Sequence, residues 1–247
     1  MIKNSVEPLS KAGQKWVRSL HLKKNRDQEA LFLAEGEKSV MEGISVFASY
    51  LEMVIALDSF ALKIPDQFHS RTFTVSPKEL EQISELKTPN KCIAVFRRSK
   101  AVLLENGLTI ALDGIQDPGN MGTILRLADW FGIKQIVCSK DTVDCYNSKV
   151  IQSSMGAIYR IPVHYTDLIT YLSHTTLQKF GAMLNGTSYK KVNYPEDAIL
   201  VMGNEGKGVR PEIEALFDVS VTIPRFGQAE SLNVATATAI LLAEIVS

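Results

Sequence analysis

The sequence predicts an α/β protein of two domains, and three observations support this prediction. The chain has 247 residues, which is long for one small domain and suits two. Short apolar stretches alternate with segments of helical periodicity along most of the chain. In the second half several of these stretches are continuous apolar runs, as expected for strands buried on both faces of a parallel sheet. The segment 97–107 changes in charge character, and we place the boundary there, between domains of residues 1–104 and 105–247.

The first domain is predicted to be a small α/β unit. Apolar residues at helical spacing predict an amphipathic helix over 10–21, and a second helix is expected from Glu37 to about Gly43. Ser76 and Pro77 predict a third helix that runs to Leu86, because serine caps helix starts and proline fits the first turn. An apolar run at 31–34 and strand patterns at 51–57, 71–75 and 92–96 alternate with these helices.

The second domain shows a cleaner alternation. Its predicted strands are 108–112, 135–138, 180–184, 198–202 and 219–223, and its predicted helices are 123–131, 149–155, 211–217 and 232–246. Gly132 is placed to end the first of these helices, since glycine favours the left-handed conformation of helix ends. Arg126 lies off the apolar stripe of that helix, so its side chain is free to face a loop or a ligand.

The composition and the absence of several motifs exclude some classes of protein. The apolar fraction is 45%, no run of 18 apolar residues occurs, and the first residues lack an apolar signal core, so we expect a cytoplasmic protein that neither spans a membrane nor is secreted. The three cysteines form no CxxC pair, which indicates reduced and mostly buried thiols. The four histidines lack ligand-like spacing, so no metal is expected, and no GxSxG motif supports a hydrolase.

The net charge of zero hides an uneven distribution. Residues 1–104 carry 16 Lys and Arg against 12 Asp and Glu, and the rest of the chain carries 11 against 15. The first 26 residues hold seven basic groups and one acid, a pattern that suits a polyanion such as RNA and equally suits a solvated amphipathic helix. Lys3 belongs to this group, and the candidate RNA-binding residues are Lys11, Lys15, Arg18, Lys23, Lys24 and Arg26.

Three stretches place glycines and polar groups directly after predicted strands, at the edge where open α/β sheets bind ligands. They are residues 112–123, 201–209 and 223–235. The second matches neither GxGxxG nor GxxxxGK[ST], which disfavours a nicotinamide- or nucleotide-dependent enzyme. In the third, Ser231 is a candidate cap for the last helix, and Asn233 is a polar residue within its apolar first turn. Taken singly, each stretch could be a tight turn or a capped helix.

Taken together and in this order, the three stretches resemble the motifs of the SpoU/TrmH family of RNA ribose 2′-O-methyltransferases, within the SPOUT superfamily. Asp117–Arg126 resembles the first motif, Met202–Gly208 the second, and Ile223–Ala235 the third. More weakly, residues 15–43 resemble the family's ribosomal-protein-like α/β substrate-binding domain. The resemblance implies a catalytic domain with a deep trefoil knot, S-adenosylmethionine as cofactor, and a homodimer formed through the knotted domain.

The resemblance also implies roles for single residues. The cofactor would be held by Leu184, Asn185, Gly186, Gly203, Ile223 and Leu232. The catalytic positions would be Asn120, Arg126, Glu205, Ser231 and Asn233. A guanidinium keeps its proton far above neutral pH, so Arg126 is expected to anchor the target phosphate and stabilise the developing alkoxide, with general-base action as the family's alternative. Asn120 and Asn233 are expected to orient Arg126 and the ribose, and Glu205 to hold Arg126 by charge.

These inferences lead to one expected function and its alternatives. We expect methyl transfer from S-adenosylmethionine to a ribose 2′-hydroxyl of ribosomal RNA, because the additional N-terminal domain is more like the ribosomal-RNA members than the minimal transfer-RNA ones. Transfer RNA is the alternative substrate. A non-catalytic RNA- or ribosome-binding protein of the same fold is the alternative class, and the intact motif residues argue against it.

Overall fold

A computed structural model describes residues 6–86, 88 and 90–247, so Lys3 lies outside the described residues. By their contacts these residues form two compact units. The first contains residues 6–100 together with 146–152, and the second contains residues 101–145 and 153–247. The sequence boundary between residues 104 and 105 stays a prediction, since contacts define packing units and not the limits of sequence modules.

The first unit is a five-stranded mixed sheet with short helices, in the strand order β1-β4-β3-β5-β2. Strands β1, β4 and β3 run parallel, and β5 pairs antiparallel with both β3 and β2. The strands are β1 (Glu7–Pro8), β2 (Leu31–Glu35), β3 (Leu51–Ala56), β4 (Thr72–Thr74) and β5 (Cys92–Arg97). The helices are α1 (Lys11–Ser19), α2 (Lys23–Glu29), α3 (Glu37–Val46), α4 (Asp58–Ala61) and α5 (Pro77–Ile83).

The predicted helices and strands of this unit are confirmed, apart from their ends. Ser76 begins α5 with a reciprocal capping box to Glu79, but the helix ends at Ile83 and not at Leu86. Helix α2 was not predicted, because its sequence KKNRDQE has no apolar periodicity. The core lies where α1 and α5 cover apolar side chains of β2, β3 and β5, such as Leu33, Ile55 and Val95.

The second unit is a six-stranded parallel sheet of order β11-β9-β10-β6-β7-β8. The strands are β6 (Thr109–Asp113), β7 (Gln135–Ser139), β8 (Val163–Thr166), β9 (Gln178–Ser188), β10 (Ala198–Gly203) and β11 (Val219–Thr222). The helices are α6 (Pro118–Trp130), α8 (Leu168–His174), α9 (Pro211–Glu214) and α10 (Val234–Ile245). Helix α7 (Ser148–Ser154) belongs to the first unit up to Gln152. The five predicted strands are confirmed, and β8 and α8 are additional.

Two helix starts in the second unit differ from the predictions. Helix α6 begins at Pro118, five residues before the predicted Thr123, because the Asp117 side chain accepts a hydrogen bond from the Asn120 N–H and proline fits the first turn. Helix α10 begins at Val234, and its cap is Asn233 and not Ser231. Gly132 ends α6 as predicted, with φ of +70° directly after the C-cap.

Candidate active site at the carboxyl edge of the parallel sheet

The three motifs come together because the strands that precede them are parallel. Strands β6 and β10 are neighbours in register, so that Asp113, the last residue of β6, pairs with Gly203, the last residue of β10. The first and second motifs therefore begin side by side at the carboxyl edge. Strand β11 reaches the same edge on the far side of β9. This is the edge at which open parallel sheets bind ligands.

Glu205 ties the second motif to the first. Its carboxylate accepts hydrogen bonds from the N–H groups of Gln116 and Asp117, each at 3.3 Å, and from Asn120 Nδ2 at 3.0 Å. The expected ion pair between Glu205 and Arg126 is wrong, since no such pair occurs in the part of the chain that the structure describes. Glu205 fixes the start of α6 instead, where a negative charge also suits the helix dipole.

Asn120 carries the connection on to the third motif. Its Oδ1 accepts a hydrogen bond from Asn233 Nδ2 at 2.8 Å, and Asn233 Oδ1 accepts from the N–H groups of Ala235 and Thr236. Asn233 therefore caps α10 with one end of its amide and holds Asn120 with the other. This double use explains why a polar residue stands within an otherwise apolar helix start. Glu205, Asn120 and Asn233 form one hydrogen-bonded chain across all three motifs.

Sequence reasoning missed an ion pair between the buried Asp113 carboxylate and the half-exposed Arg210 guanidinium. Asp113 is 1% exposed, and its carboxylate accepts from the Arg210 N–H at 2.8 Å, from Arg210 Nε at 2.7 Å and from an Arg210 terminal nitrogen at 2.5 Å. The hydrogen bond to Asp113 raises the pKa of Arg210 above its ordinary value. The pair joins the end of β6 to the end of the second-motif loop. An acid that ends an apolar strand was the available sequence signal.

Asn204 closes the second-motif loop on itself and on the first motif. Its Nδ2 donates to the Gly114 carbonyl at 2.6 Å, and its Oδ1 accepts from the N–H groups of Gly206 and Lys207 at 3.0 Å. The loop folds back so closely that a Cβ on Gly203 would lie 2.4 Å from the backbone nitrogen of Val209. The glycine is therefore required by the turn of the loop itself, which the sequence does not reveal.

Arg126 and Ser231 lie at exposed positions of the same unit. Arg126 is on the outer side of α6, as its place off the apolar stripe predicts. Helix α6 buries Met121, Ile124 and Ala128 on its other side. Arg126 is six residues beyond Asn120, which is less than two turns along α6.

The predicted cofactor residues lie on four segments: Leu184, Asn185 and Gly186 are in β9, Gly203 ends β10, Ile223 follows β11, and Leu232 precedes α10. Thr222 Oγ1 donates to the Leu184 carbonyl at 3.0 Å, and a Cβ on Gly186 would lie 2.5 Å from the Ser220 carbonyl oxygen. The side chains of Leu184 and Leu232 are 73% and 49% exposed. The pairing of β9 with β10 stops at Gly181. Residues 182–186 then bulge out of the ladder with β11, because Gly181 and Thr187 pair with the adjacent residues Ser220 and Val221.

The basic candidates of the first unit differ in their availability. Lys15, Arg18 and Lys24 are exposed. Lys11 and Lys23 are exposed but paired, with Glu79 at 2.7 Å and with Asp27 at 2.6 Å. The prediction that Arg26 binds RNA is wrong, because Arg26 is 5% exposed and its guanidinium donates to the carbonyls of Leu20 and His21. Arg26 instead supports the turn between α1 and α2.

Two further observations bear on the class of site. Across residues 6–86, 88 and 90–247, no group of three or more His, Cys, Asp or Glu side chains is arranged to hold a metal ion. Over the same ranges, no helix is both long and apolar enough to cross a lipid bilayer.

Comparison with known proteins agrees with the motif arrangement. Residues 107–243 match the model of the SpoU rRNA methylase family, and residues 14–94 match the model of the MRM3-like substrate-binding domain. The chain belongs to the SpoU rRNA methylase family. The motif resemblance and the weaker N-terminal resemblance are thereby both confirmed.

Three similar proteins cover nearly the whole chain. The 23S rRNA (guanosine(2553)-2′-O)-methyltransferase RlmP of Bacillus subtilis is 32% identical over 231 residues, which are 91% of this chain and 92% of the relative. The structure of a TrmH-family protein from Porphyromonas gingivalis matches at 36% identity and a TM-score of 0.86, covering 96% of this chain and 98% of that one. An rRNA methyltransferase from Sinorhizobium meliloti with bound AdoMet matches at 27% identity and a TM-score of 0.86, covering 97% and 96%.

Proposed function

We propose that this SpoU-family protein transfers a methyl group from S-adenosylmethionine to a ribose 2′-hydroxyl of ribosomal RNA. The observation that carries the proposal is the hydrogen-bonded chain of Glu205, Asn120 and Asn233, which joins all three family motifs at one sheet edge. The sequence has the residue expected at each of the family's catalytic positions, which are Asn120, Arg126, Glu205, Ser231 and Asn233.

The carboxyl edge fits the adenosine part of the cofactor. Adenine is flat and largely apolar with a polar rim, and such groups are held between apolar side chains and backbone hydrogen-bonding groups. Leu184 and Leu232 have exposed apolar side chains, and the backbone groups of Asn185, Gly203 and Ile223 would supply the hydrogen bonds. Gly186 lets this strand approach β11 closely. When bound, the cofactor supplies a methyl group already activated on a sulfonium sulfur.

The residues of the chain then have to position the ribose and assist loss of its proton. The exposed Arg126 guanidinium anchors the target phosphate and stabilises the alkoxide that forms as the 2′-hydroxyl is deprotonated. Asn120 and Asn233 hold the start of α6, and with it Arg126, at a fixed place relative to the third motif. Glu205 keeps Asn120 in this orientation, and Ser231 lies exposed on the neighbouring loop.

Ribosomal RNA is the favoured substrate over transfer RNA. The relatives from Bacillus subtilis and Sinorhizobium meliloti are both named as rRNA methyltransferases, and both align along nearly the whole chain, including the N-terminal unit. The exposed Lys15, Arg18 and Lys24 of that unit suit contacts to RNA phosphates, with Lys11 and Lys23 available at the cost of their ion pairs. With this substrate, the protein acts in the cytoplasm.

We further expect the second unit to form a homodimer and to contain the family's trefoil knot. Trp130 on α6 is 84% exposed, and Leu127 on the same helix is only partly buried. Helix α10, which packs against α6, has Ala237, Ile240 and Ala243 partly or fully exposed. Apolar side chains on two adjacent helices support an interface with a second copy, because exposed apolar area is unfavourable in water.

Methyl transfer from labelled S-adenosylmethionine tests the proposal. Unmodified 23S rRNA transcript and unmodified tRNA are supplied in separate reactions, the RNA is digested, and the labelled nucleosides are identified. Label in a 2′-O-methyl nucleoside from the 23S transcript is the expected result. Label in tRNA alone would overturn the substrate assignment, and label in a methylated base would overturn the proposed reaction. Sedimentation analysis of the same preparation tests the dimer.

A further inference from the structure

The loop between β11 and α10 is attached to the candidate site at both of its ends. It contains residues 223–233 and has no regular secondary structure. At its start, Thr222 is hydrogen-bonded to the Leu184 carbonyl, beside the proposed cofactor residues. At its end, Asn233 is hydrogen-bonded to Asn120 at 2.8 Å. The loop therefore runs along the site from the cofactor side to the first motif.

Phe226 lies in this loop with its ring almost wholly in solvent. It is 98% exposed, the highest value among the exposed large hydrophobic residues of the described chain. Contact with the proposed cofactor accounts for the exposed side chains of Leu184 and Leu232, but it gives Phe226 no role. Full hydration of a phenyl ring is unfavourable, so a partner that covers it would contribute to binding.

The chemistry around the ring favours a nucleobase as that partner. The substrate of a ribose methyltransferase brings a base within one nucleotide of the reacting hydroxyl. Sequence-specific RNA recognition commonly stacks unpaired bases on aromatic side chains. Arg225 precedes Phe226 in the sequence, and Lys207 lies in the second-motif loop. Both are exposed cations that suit contacts to phosphates of the RNA. We infer that Phe226 stacks on an unpaired nucleobase of the RNA substrate, at or next to the methylated ribose.

This inference rests on the proposed function, and it predicts a loss of RNA affinity without a loss of cofactor affinity. Stacking of one base on an aromatic ring changes RNA affinity by about 5- to 150-fold. The variant Phe226→Ala should weaken RNA binding within this range and raise KM for RNA, with cofactor affinity unchanged. Phe226→Trp should keep the binding, because it retains an aromatic face. Phe226→Leu should bind RNA as weakly as the alanine variant to within about threefold, because it keeps apolar area but has no ring to stack.

The test uses the full-length protein and an unmodified 23S rRNA transcript, with filter binding for RNA affinity, calorimetry for S-adenosylmethionine affinity and sedimentation for oligomeric state. Ile169→Ala is the matched control, since Ile169 is an exposed apolar residue on α8, outside the three motifs. Equal RNA binding by Phe226→Ala and the unsubstituted protein would overturn the inference. So would full retention by Phe226→Leu, a selective loss of cofactor affinity, or a change of oligomeric state.

Failure of the inference is distinguishable from failure of the proposed function. Methyl transfer by the unsubstituted protein tests the function, whereas RNA affinity tests Phe226 without any requirement for catalysis. Methyl transfer with no effect of Phe226→Ala on affinity or KM would leave the function and remove the stacking role. Weaker RNA binding by Phe226→Ala, without methyl transfer by the unsubstituted protein, would support stacking and remove the function.

Discussion

Replacement of Asp113 by asparagine should destabilise the second unit far more than the same change at a surface acid. In Asp113→Asn, one carboxylate oxygen becomes an NH2 group that faces the donors of Arg210. Two charge-assisted hydrogen bonds and one from a backbone N–H now meet a neutral amide with a single acceptor. Breaking a buried ion pair costs about 3–5 kcal/mol. Because Arg210 is 44% exposed and can be hydrated, we expect Asp113→Asn to lower the free energy of unfolding by a smaller amount, about 2–3 kcal/mol.

Asp218→Asn is a matched control. Asp218 also accepts from the backbone N–H and the side-chain cation of a single residue, Lys179, at 2.7 and 3.1 Å. It is 44% exposed, against 1% for Asp113. Solvent screening should limit the effect of Asp218→Asn to less than about 1 kcal/mol. Both carboxylates accept from the backbone N–H and the side-chain cation of one residue, and they differ in burial. The cation left behind is an ammonium that is 14% exposed in Asp218→Asn and a guanidinium that is 44% exposed in Asp113→Asn.

Calorimetric melting of the full-length protein provides the measurement. For a unit of this size, each kcal/mol shifts Tm by about 2–4 °C, so Asp113→Asn should lower the melting temperature of the second unit by about 4–12 °C. Asp218→Asn should lower it by less than about 4 °C. Equal shifts for the two variants would refute the argument that burial of the Asp113–Arg210 pair makes it stabilising. KM for S-adenosylmethionine should also rise in Asp113→Asn, because the second-motif loop is held by this pair.

Three further predictions concern the site and the first unit. Arg126→Ala should lower methyl transfer by about 100-fold or more and leave S-adenosylmethionine affinity nearly intact, and parallel loss of both in calorimetry and activity assays would refute the assigned role. Hydrogen bonds from Lys11, from the Ser76 N–H and from Gln14 lower the pKa of Glu79 below 4.5. The stabilisation from Glu79 is therefore present above pH 4.5 and is lost as pH falls through the lower folded-state pKa. Glu79→Gln should flatten the acid side of a profile of urea midpoint against pH, and an unchanged profile would contradict this role of Glu79. All three cysteines are buried, and burial raises the pKa of Cys92 to about 12. A thiol reagent should therefore label no cysteine in the native protein and three in denaturant. Rapid labelling of the native protein would contradict this prediction.

Local signals predicted the elements that depend on neighbouring residues. Continuous apolar runs located the inner strands of the parallel sheet, because a strand covered on both faces needs apolar residues at every position. Ser76 and Pro77 predicted the start of α5, because a cap acts within one turn. The same kind of signal is present at α6, where the Asp117 cap and Pro118 begin the helix five residues before the predicted Thr123. The edge strand β8 was missed because its residues are only partly buried and form no apolar run.

The sequence by itself determined the fold class, the order of the three motifs and the family to which they belong, because these are properties of short segments. Tertiary structure decided which side chains meet. Glu205 bonds to Asn120 across 85 residues, Asn233 to Asn120 across 113, and Arg210 to Asp113 across 97. Such partners depend on where parallel strands end and in what order they lie in the sheet. Tertiary structure also decided the role of Arg26. Its charge predicted RNA binding, but its side chain is buried and supports the turn between α1 and α2.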